Sequence, residues 1–330
     1  MPRALYLLTH AAFDDIYGPE ERRALAARVE IDAGLLTPEA YRAGGGRWPG
    51  VELLFSGWGM VPMDAAFFAR FPDLRIVFYG AGSIKPFVTD EVWERDVRIT
   101  SANAANAVPV CEYTVSQILC ALKQVWQKAL YIRRHREYPP AWRAPGAFRT
   151  TVGLLSLGMV GRMVAERLAA FDLDVIAYDP HVPPDEAAAL GVGLCPLDEL
   201  FARADVVSCH APLLPETDRM IRGRHFEAMR RNATFLNTAR GAIVAEEEMV
   251  EVLARRPDLF AILDVTAVEP PPPGSPLYAL DNVILTPHMA GSLAHECRRM
   301  GRAMVDELDL FLAGRPLRHE IDRRRFLVSA

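Results

Sequence analysis

Gly153-Leu154-Leu155-Ser156-Leu157-Gly158-Met159-Val160-Gly161 is the stretch that decides the fold. The apolar run Val152–Leu155 leads into it and a helix-compatible run leads out, so it reads as a strand, a tight loop and a helix N-terminus. In that setting the loop and first-turn amides around Ser156, Gly158, Met159, Val160 and Gly161 can hold a pyrophosphate with help from the helix dipole. The usual pattern is G-x-G-x-x-G, and this chain has Ser156 at the first glycine. A serine fits the turn if its φ stays negative, so the missing glycine weakens the signal without cancelling it. Asp179 stands 18 residues after Gly161, at the end of the next apolar run, Val175–Tyr178. A carboxylate there accepts hydrogen bonds from the adenosine ribose hydroxyls and disfavours a 2′-phosphate. The alternative is purely structural: a tight strand-helix turn followed by a surface Asp-Pro turn.

Outward from this stretch, Asp205–Cys209, Thr234–Asn237, Ala261–Val265 and Val283–Thr286 are further strand candidates, mostly separated by helical segments. Near-continuous apolar strands of this kind belong to a parallel, doubly wound α/β sheet covered on both faces. A second alternation occupies the N-terminal part, with strands at Ala4–Leu8, Glu52–Phe55 and Leu74–Tyr79 and helices at Glu20–Val29 and Met63–Arg70. Thr37-Pro38 reads as an N-cap followed by proline at the first helical position, and Gly44-Gly45-Gly46 as a turn. One long helix is expected after Pro109, because Cys111, Val115, Ile118, Leu122, Val125, Ala129 and Ile132 recur at three and four residue steps. It should end near Tyr138-Pro139-Pro140.

At 330 residues the chain is long enough for two domains with separate cores. Hydrophobic residues make up 51% and no apolar run reaches membrane-spanning length, so a transmembrane segment is not expected. The N-terminus lacks the apolar core of a signal peptide, which points to a cytoplasmic protein. A net charge of −5 supplies no field for nucleic acid or anionic lipid. Five scattered cysteines, Cys111, Cys120, Cys195, Cys209 and Cys297, signal neither a disulfide framework nor a zinc site, and no metal is expected. Cations and aromatics mix in Arg133, Arg134, His135, Arg136, Trp142, Arg143 and Phe148, and a solvated or subunit-contacting loop explains them without nucleic acid.

Three later segments carry polar residues at the C-terminal ends of expected strands, the edge where ligands bind in such sheets. They are Asn237-Thr238-Ala239-Arg240-Gly241, Asp264-Val265-Thr266-Ala267-Val268-Glu269-Pro270 and Thr286-Pro287-His288-Met289-Ala290-Gly291. Arg240 is a fixed cation able to bind a carboxylate and polarise an adjacent carbonyl. His288 can exchange a proton, with Glu269 holding and charging its imidazole. Singly, each has a bland alternative: a strand-end salt bridge, a loop charge before prolines, a capped turn residue. Their joint placement on one edge favours chemistry.

These segments resemble the D-isomer-specific 2-hydroxyacid dehydrogenase family. The resemblance extends to Tyr178-Asp179-Pro180, to His210-Ala211-Pro212-Leu213 through Thr217, and to Val110-Cys111-Glu112 at the start of an interdomain helix. It implies two lobes, each with a parallel sheet: a flavodoxin-like substrate domain of residues 1–102 and 291–330, and a Rossmann-type nucleotide domain, 103–290, inserted into it. It also implies NAD as cofactor, bound by Ser156, Gly158, Met159, Val160, Gly161, Asp179, His210, Ala211, Pro212, Thr217, Thr238, Ala239 and Asp264. Arg240, Glu269 and His288 resemble the catalytic trio of enzymes that move a hydride between nicotinamide and C2 of a D-2-hydroxy or 2-keto acid. Gly80-Ala81-Gly82 matches the substrate-carboxylate loop, with Ala81 and Gly82 as binding residues, although Ser83-Ile84-Lys85-Pro86 departs from the common pattern. Homodimers through the nucleotide domain are the family's habit. Trp58, between Gly57 and Gly59, is expected in an exposed, mobile loop, where it either lines the substrate pocket or fills the interdomain space. A dinucleotide-sensing corepressor on the same fold is the alternative from another class, and formate or phosphite dehydrogenases are enzyme alternatives. Formate dehydrogenases pair glutamine with the histidine, so Glu269 argues against that one.

Overall fold

Twelve strands form two all-parallel sheets in the computed structural model, which describes residues 1–140 and 143–328. Trp142 lies outside the described residues. The chain divides into two compact units, Met1–Ala107 together with the residues from Ser292 onward, and Val108–Gly291.

In the first unit, β1 (Arg3–Leu7), β2 (Glu30–Leu36), β3 (Val51–Ser56), β4 (Ile76–Tyr79) and β5 (Arg98–Ser101) pair in the order β2-β1-β3-β4-β5. That order is flavodoxin-like, with its switch point between β1 and β3. Leu53, Phe55, Ile76 and Phe78 are buried beneath the helix Cys297–Leu312, whose Met300, Met304 and Leu308 face them. The segment after that helix is tied to the β5 edge by Ile321 N–H donating to the Ile99 carbonyl and by a two-pronged Arg98–Glu320 pair at 2.7 Å. Thr37 caps the helix Pro38–Ala43 by accepting from the Ala40 amide, as the Thr-Pro signature predicts.

The second unit holds β6 (Thr151–Leu155), β7 (Asp174–Tyr178), β8 (Gly193–Leu194), β9 (Val206–Cys209), β10 (Thr234–Asn237), β11 (Phe260–Leu263) and β12 (Val283–Leu285). Their order is β12-β11-β10-β9-β6-β7-β8. The chain runs outward from β6 to β8, then crosses back to β9, so the switch point lies between β6 and β9. All four residues of β9, β10 and β11 are buried, as a central parallel strand covered on both faces requires.

Two expectations are corrected. The single helix after Pro109 is two helices, Asn103–Leu122 and Val125–His135. The first starts six residues before Pro109, because Ser101 Oγ accepts the Asn103 amide and the Ala102 carbonyl accepts the Asn106 amide. It stops because Gln124 turns left-handed, φ +54, while the Gly146 amide takes up the Leu122 carbonyl. The other correction concerns Ser156, whose φ is +79 rather than negative. Local hydrogen bonds hold it there, as described below.

Candidate functional site

The candidate cofactor-binding and catalytic residues of the second unit all lie at or after the C-terminal ends of its strands. The Ser156–Gly158 loop follows β6 and feeds the ten-residue helix Met159–Leu168. Gly158 at its N-cap offers no side chain, and the first-turn amides lack a side-chain cap. A Cβ added to Gly161 would lie 2.1 Å from the Ser156 carbonyl oxygen, so only glycine lets the helix start this close to the loop. The result is a helix N-terminus whose first turn carries no side-chain cap, at the positive end of the dipole, which fits a dinucleotide's pyrophosphate. Asp179 follows β7 and bonds to the same loop: Oδ2 accepts from the Leu157 amide at 2.8 Å and from Ser156 Oγ at 3.2 Å, while Oδ1 accepts from the His181 amide at 2.9 Å.

His210, after β9, is locked by its amide on the Leu155 carbonyl and by a 3.0 Å contact between its Nε2 and Ser208 Oγ. Burial pushes its pKa down to about 4, so the ring is neutral near pH 7. The following Ala211 is buried. Thr217 Oγ1 donates to the Pro212 carbonyl at 2.6 Å and accepts from the Leu214 amide at 2.8 Å, bracing the loop from within.

After β10, Asn237 staples its own turn. Its Oδ1 accepts from the Ala239 amide and its Nδ2 donates to the Arg240 carbonyl. Arg240 Nη1 donates to the Ala239 carbonyl at 2.7 Å. Desolvation pulls the guanidinium below its ordinary pKa, and the Glu269 carboxylate partly restores it. A Cβ on Gly241 would lie 2.0 Å from the Thr266 carbonyl carbon. Glycine at 241 therefore lets the segment carrying Arg240 approach the one leading to Glu269.

Asp264, at the end of β11, is 2% exposed. Its Oδ1 accepts from Thr286 Oγ1 at 2.6 Å and from the Met289 amide at 2.8 Å, and its Oδ2 from the Ala290 amide at 2.9 Å. Its carbonyl also accepts the His288 amide at 3.0 Å. One buried carboxylate thus shapes the turn that carries His288, which sits at φ +52. From that turn His288 Nδ1 meets Glu269 Oε2 at 2.7 Å. Both side chains are exposed, and Nε2 has no partner among the described residues.

The helix Asn103–Leu122 adds two contacts that spacing arguments miss. Tyr113 OH lies 3.1 Å from Thr286 Oγ1, and Thr114 Oγ1 lies 3.3 Å from Thr238 Oγ1. Burial raises the pKa of Tyr113. Cys111, on the same helix, is buried and its thiol is likewise pushed up, as an unreactive packing residue should be.

In the first unit, the Gly80–Gly82 loop leaves β4. Ser101 Oγ donates to the Gly82 carbonyl at 2.5 Å, and the Ala81 and Gly82 amides have no acceptor among the described residues. Trp58 follows β3 and is 39% exposed. Its flanking glycines are closely packed: a Cβ at Gly57 would lie 2.6 Å from Ile16 Cδ1, and Gly59 has φ +94. No helix among the described residues is long and apolar enough to cross a membrane.

Residues 115–290 match the family described as D-isomer specific 2-hydroxyacid dehydrogenase, NAD binding domain. The chain is 33% identical over 297 residues to the D-3-phosphoglycerate dehydrogenase of Mycobacterium bovis, an alignment covering 90% of this chain and 52% of that protein. With the glyoxylate reductase of Korarchaeum cryptofilum it shares 31% identity over 259 residues, 77% of each chain. The crystal structure of the TT0316 protein from Thermus thermophilus superimposes with a TM-score of 0.76 at 30% identity, covering 97% of this chain and 100% of that one. The chain spans about half the length of the D-3-phosphoglycerate dehydrogenases it matches.

Proposed function

The chain belongs to the D-isomer specific 2-hydroxyacid dehydrogenase family, and we propose that it reduces a small 2-keto acid to the D-2-hydroxy acid, or runs the reverse reaction, with NAD as partner. The observation that carries this reading is the 2.7 Å His288–Glu269 pair on the sheet edge that also bears the desolvated Arg240. When bound, the nicotinamide supplies or accepts the hydride.

The chain's own residues then have distinct tasks. Arg240, a fixed cation in a desolvated setting, holds the substrate carboxylate and polarises the carbonyl to be reduced. Glu269 accepts from His288 Nδ1–H and stabilises the imidazolium, so Nε2–H is the proton donor to the forming alkoxide; in oxidation the neutral Nε2 accepts that proton. The loop of Ser156, Gly158, Met159, Val160 and Gly161 holds the pyrophosphate, and Asp179 the adenosine ribose. His210, Ala211, Pro212, Thr217, Thr238 and Ala239 form the rest of the cofactor wall. Asp264 serves by shaping the His288 turn. Within the first unit, we propose Ala81 and Gly82, through their amides, and Trp58, through its indole face, as substrate-binding residues.

A steady-state screen of glyoxylate, hydroxypyruvate, its phosphorylated form, pyruvate and phenylpyruvate with NADH and NADPH tests the reading. At least one acid should turn over, with kcat/KM for NADH exceeding that for NADPH, since a 2′-phosphate would face the Asp179 carboxylate. Dinucleotide binding without turnover of any acid would favour a sensor instead.

We also propose that the chain pairs with a second copy through its nucleotide-binding unit. Phe148 is 67% exposed, Ile132 and Val125 on the helix Val125–His135 are exposed as well, and the same helix contributes Leu130 and Tyr131 to a groove of about 840 Å³ that Ile284 also lines. Sedimentation equilibrium should give twice the 36.6 kDa chain mass, and Ile132→Asp with Phe148→Asp should yield monomer. A wild type that stays monomeric at tens of micromolar excludes the pairing.

A further inference from the structure

Ser156 stands at φ +79, a left-handed conformation that suits glycine and strains any residue with a Cβ. The hydroxyl supplies the compensation. Ser156 Oγ donates to Asp179 Oδ2 at 3.2 Å and accepts from the Gly158 amide at 3.3 Å. Asp179 Oδ2 also accepts from the Leu157 amide, and Oδ1 from the His181 amide. A carboxylate oxygen has two lone-pair sites. Both on Oδ2 are therefore filled, and a single site remains, on Oδ1.

We propose that Ser156 is a positioning residue for cofactor choice, fixing the Asp179 carboxylate so that it offers one acceptor to a ribose hydroxyl and cannot turn away from a 2′-phosphate. This rests on the dinucleotide reading of the loop. A carboxylate held by the two amides alone has more freedom to rotate or withdraw, and an anionic phosphate would then meet less repulsion. With the third donor in place, its negative charge stays where the 2′ position must lie, and discrimination becomes a property of the loop as well as of Asp179. The left-handed serine is then a functional constraint whose strain the surrounding hydrogen bonds hold in place.

The test measures Kd for NADH and NADPH, by quenching of protein fluorescence, together with Tm, for wild type, Ser156→Ala and Ser156→Gly. Both variants lose the hydroxyl, and each should narrow the NADPH/NADH Kd ratio by about tenfold. Glycine relieves the strain at φ +79 and alanine keeps it, so Ser156→Gly should have the higher Tm of the two variants. In an Asp179→Asn background, adding Ser156→Ala should leave the ratio unchanged, since Ser156 acts through that carboxylate. A ratio within about twofold of wild type in both single variants, with NADH still bound, overturns the proposal and leaves the dinucleotide reading standing. Failure of wild type to bind either nucleotide overturns both.

Discussion

Replacing His288 by asparagine is expected to lower kcat for keto-acid reduction by about a thousandfold while leaving the Kd for NADH within about twofold of wild type. Asparagine is the apt substitute because His288 sits at φ +52, a region asparagine adopts more readily than most residues. The backbone bonds of the turn, from the His288, Met289 and Ala290 amides to Asp264, survive the change. What disappears is the group poised to exchange a proton through a free ring nitrogen while a carboxylate at 2.7 Å holds the other. Glu269→Gln removes the carboxylate that holds Nδ1 and should lower kcat for reduction while leaving the Kd for NADH within about twofold of wild type. A variant at 288 with more than about a tenth of wild-type kcat would assign the proton to another donor, and a wild-type kcat in Glu269→Gln would detach Glu269 from the chemistry.

The central strands of the second unit were legible because parallel strands covered on both faces read as unbroken apolar runs. β6, β7, β9, β10, β11 and β12 all occur where such runs stand. β2 does not read that way. It is a sheet edge with Asp32 paired to Arg3 at 2.5 Å, Gly34 at φ +76 and a shifted register against β1. β5 and β8 are short, and their pairing is tertiary information. In the candidate site, Arg240, Glu269 and His288 could be named because each lies shortly after a strand end. Their approach to one another could not, since it depends on the Gly241 backbone fitting against Thr266 and on the buried Asp264 carboxylate, neither of which has a spacing signature. Tyr113 was invisible for a related reason: its partner Thr286 is 173 residues away. The sign of φ at Ser156 differs from expectation because a sequence argument weighs the missing glycine without the hydrogen bonds that compensate for it.

Arg240→Lys is expected to cost about a hundredfold in kcat/KM for any keto acid, and Arg240→Ala about ten times more, both with unchanged Kd for NADH. Two physical differences separate lysine from arginine at this position. The guanidinium offers two parallel donors to a carboxylate, whereas an ammonium offers one point of attachment and leaves the substrate free to swing. Desolvation already lowers the Arg240 pKa, with Glu269 partly offsetting it. A guanidinium starts so high that it stays charged there, but a lysine in the same surroundings loses far more of its protonated fraction near neutral pH. The lysine variant should therefore recover activity towards acid, and its defect should lie in both KM and kcat, because the same cation binds the carboxylate and stabilises charge on the reacting carbonyl oxygen. His288→Asn should differ in kind, losing kcat with little change in KM. Added guanidinium should restore part of the activity of Arg240→Ala and none of that of His288→Asn. If Arg240→Lys keeps about a third or more of wild-type kcat/KM with the best acid found in the screen, the strand-end arginine is a structural cation, and carboxylate recognition must be sought elsewhere.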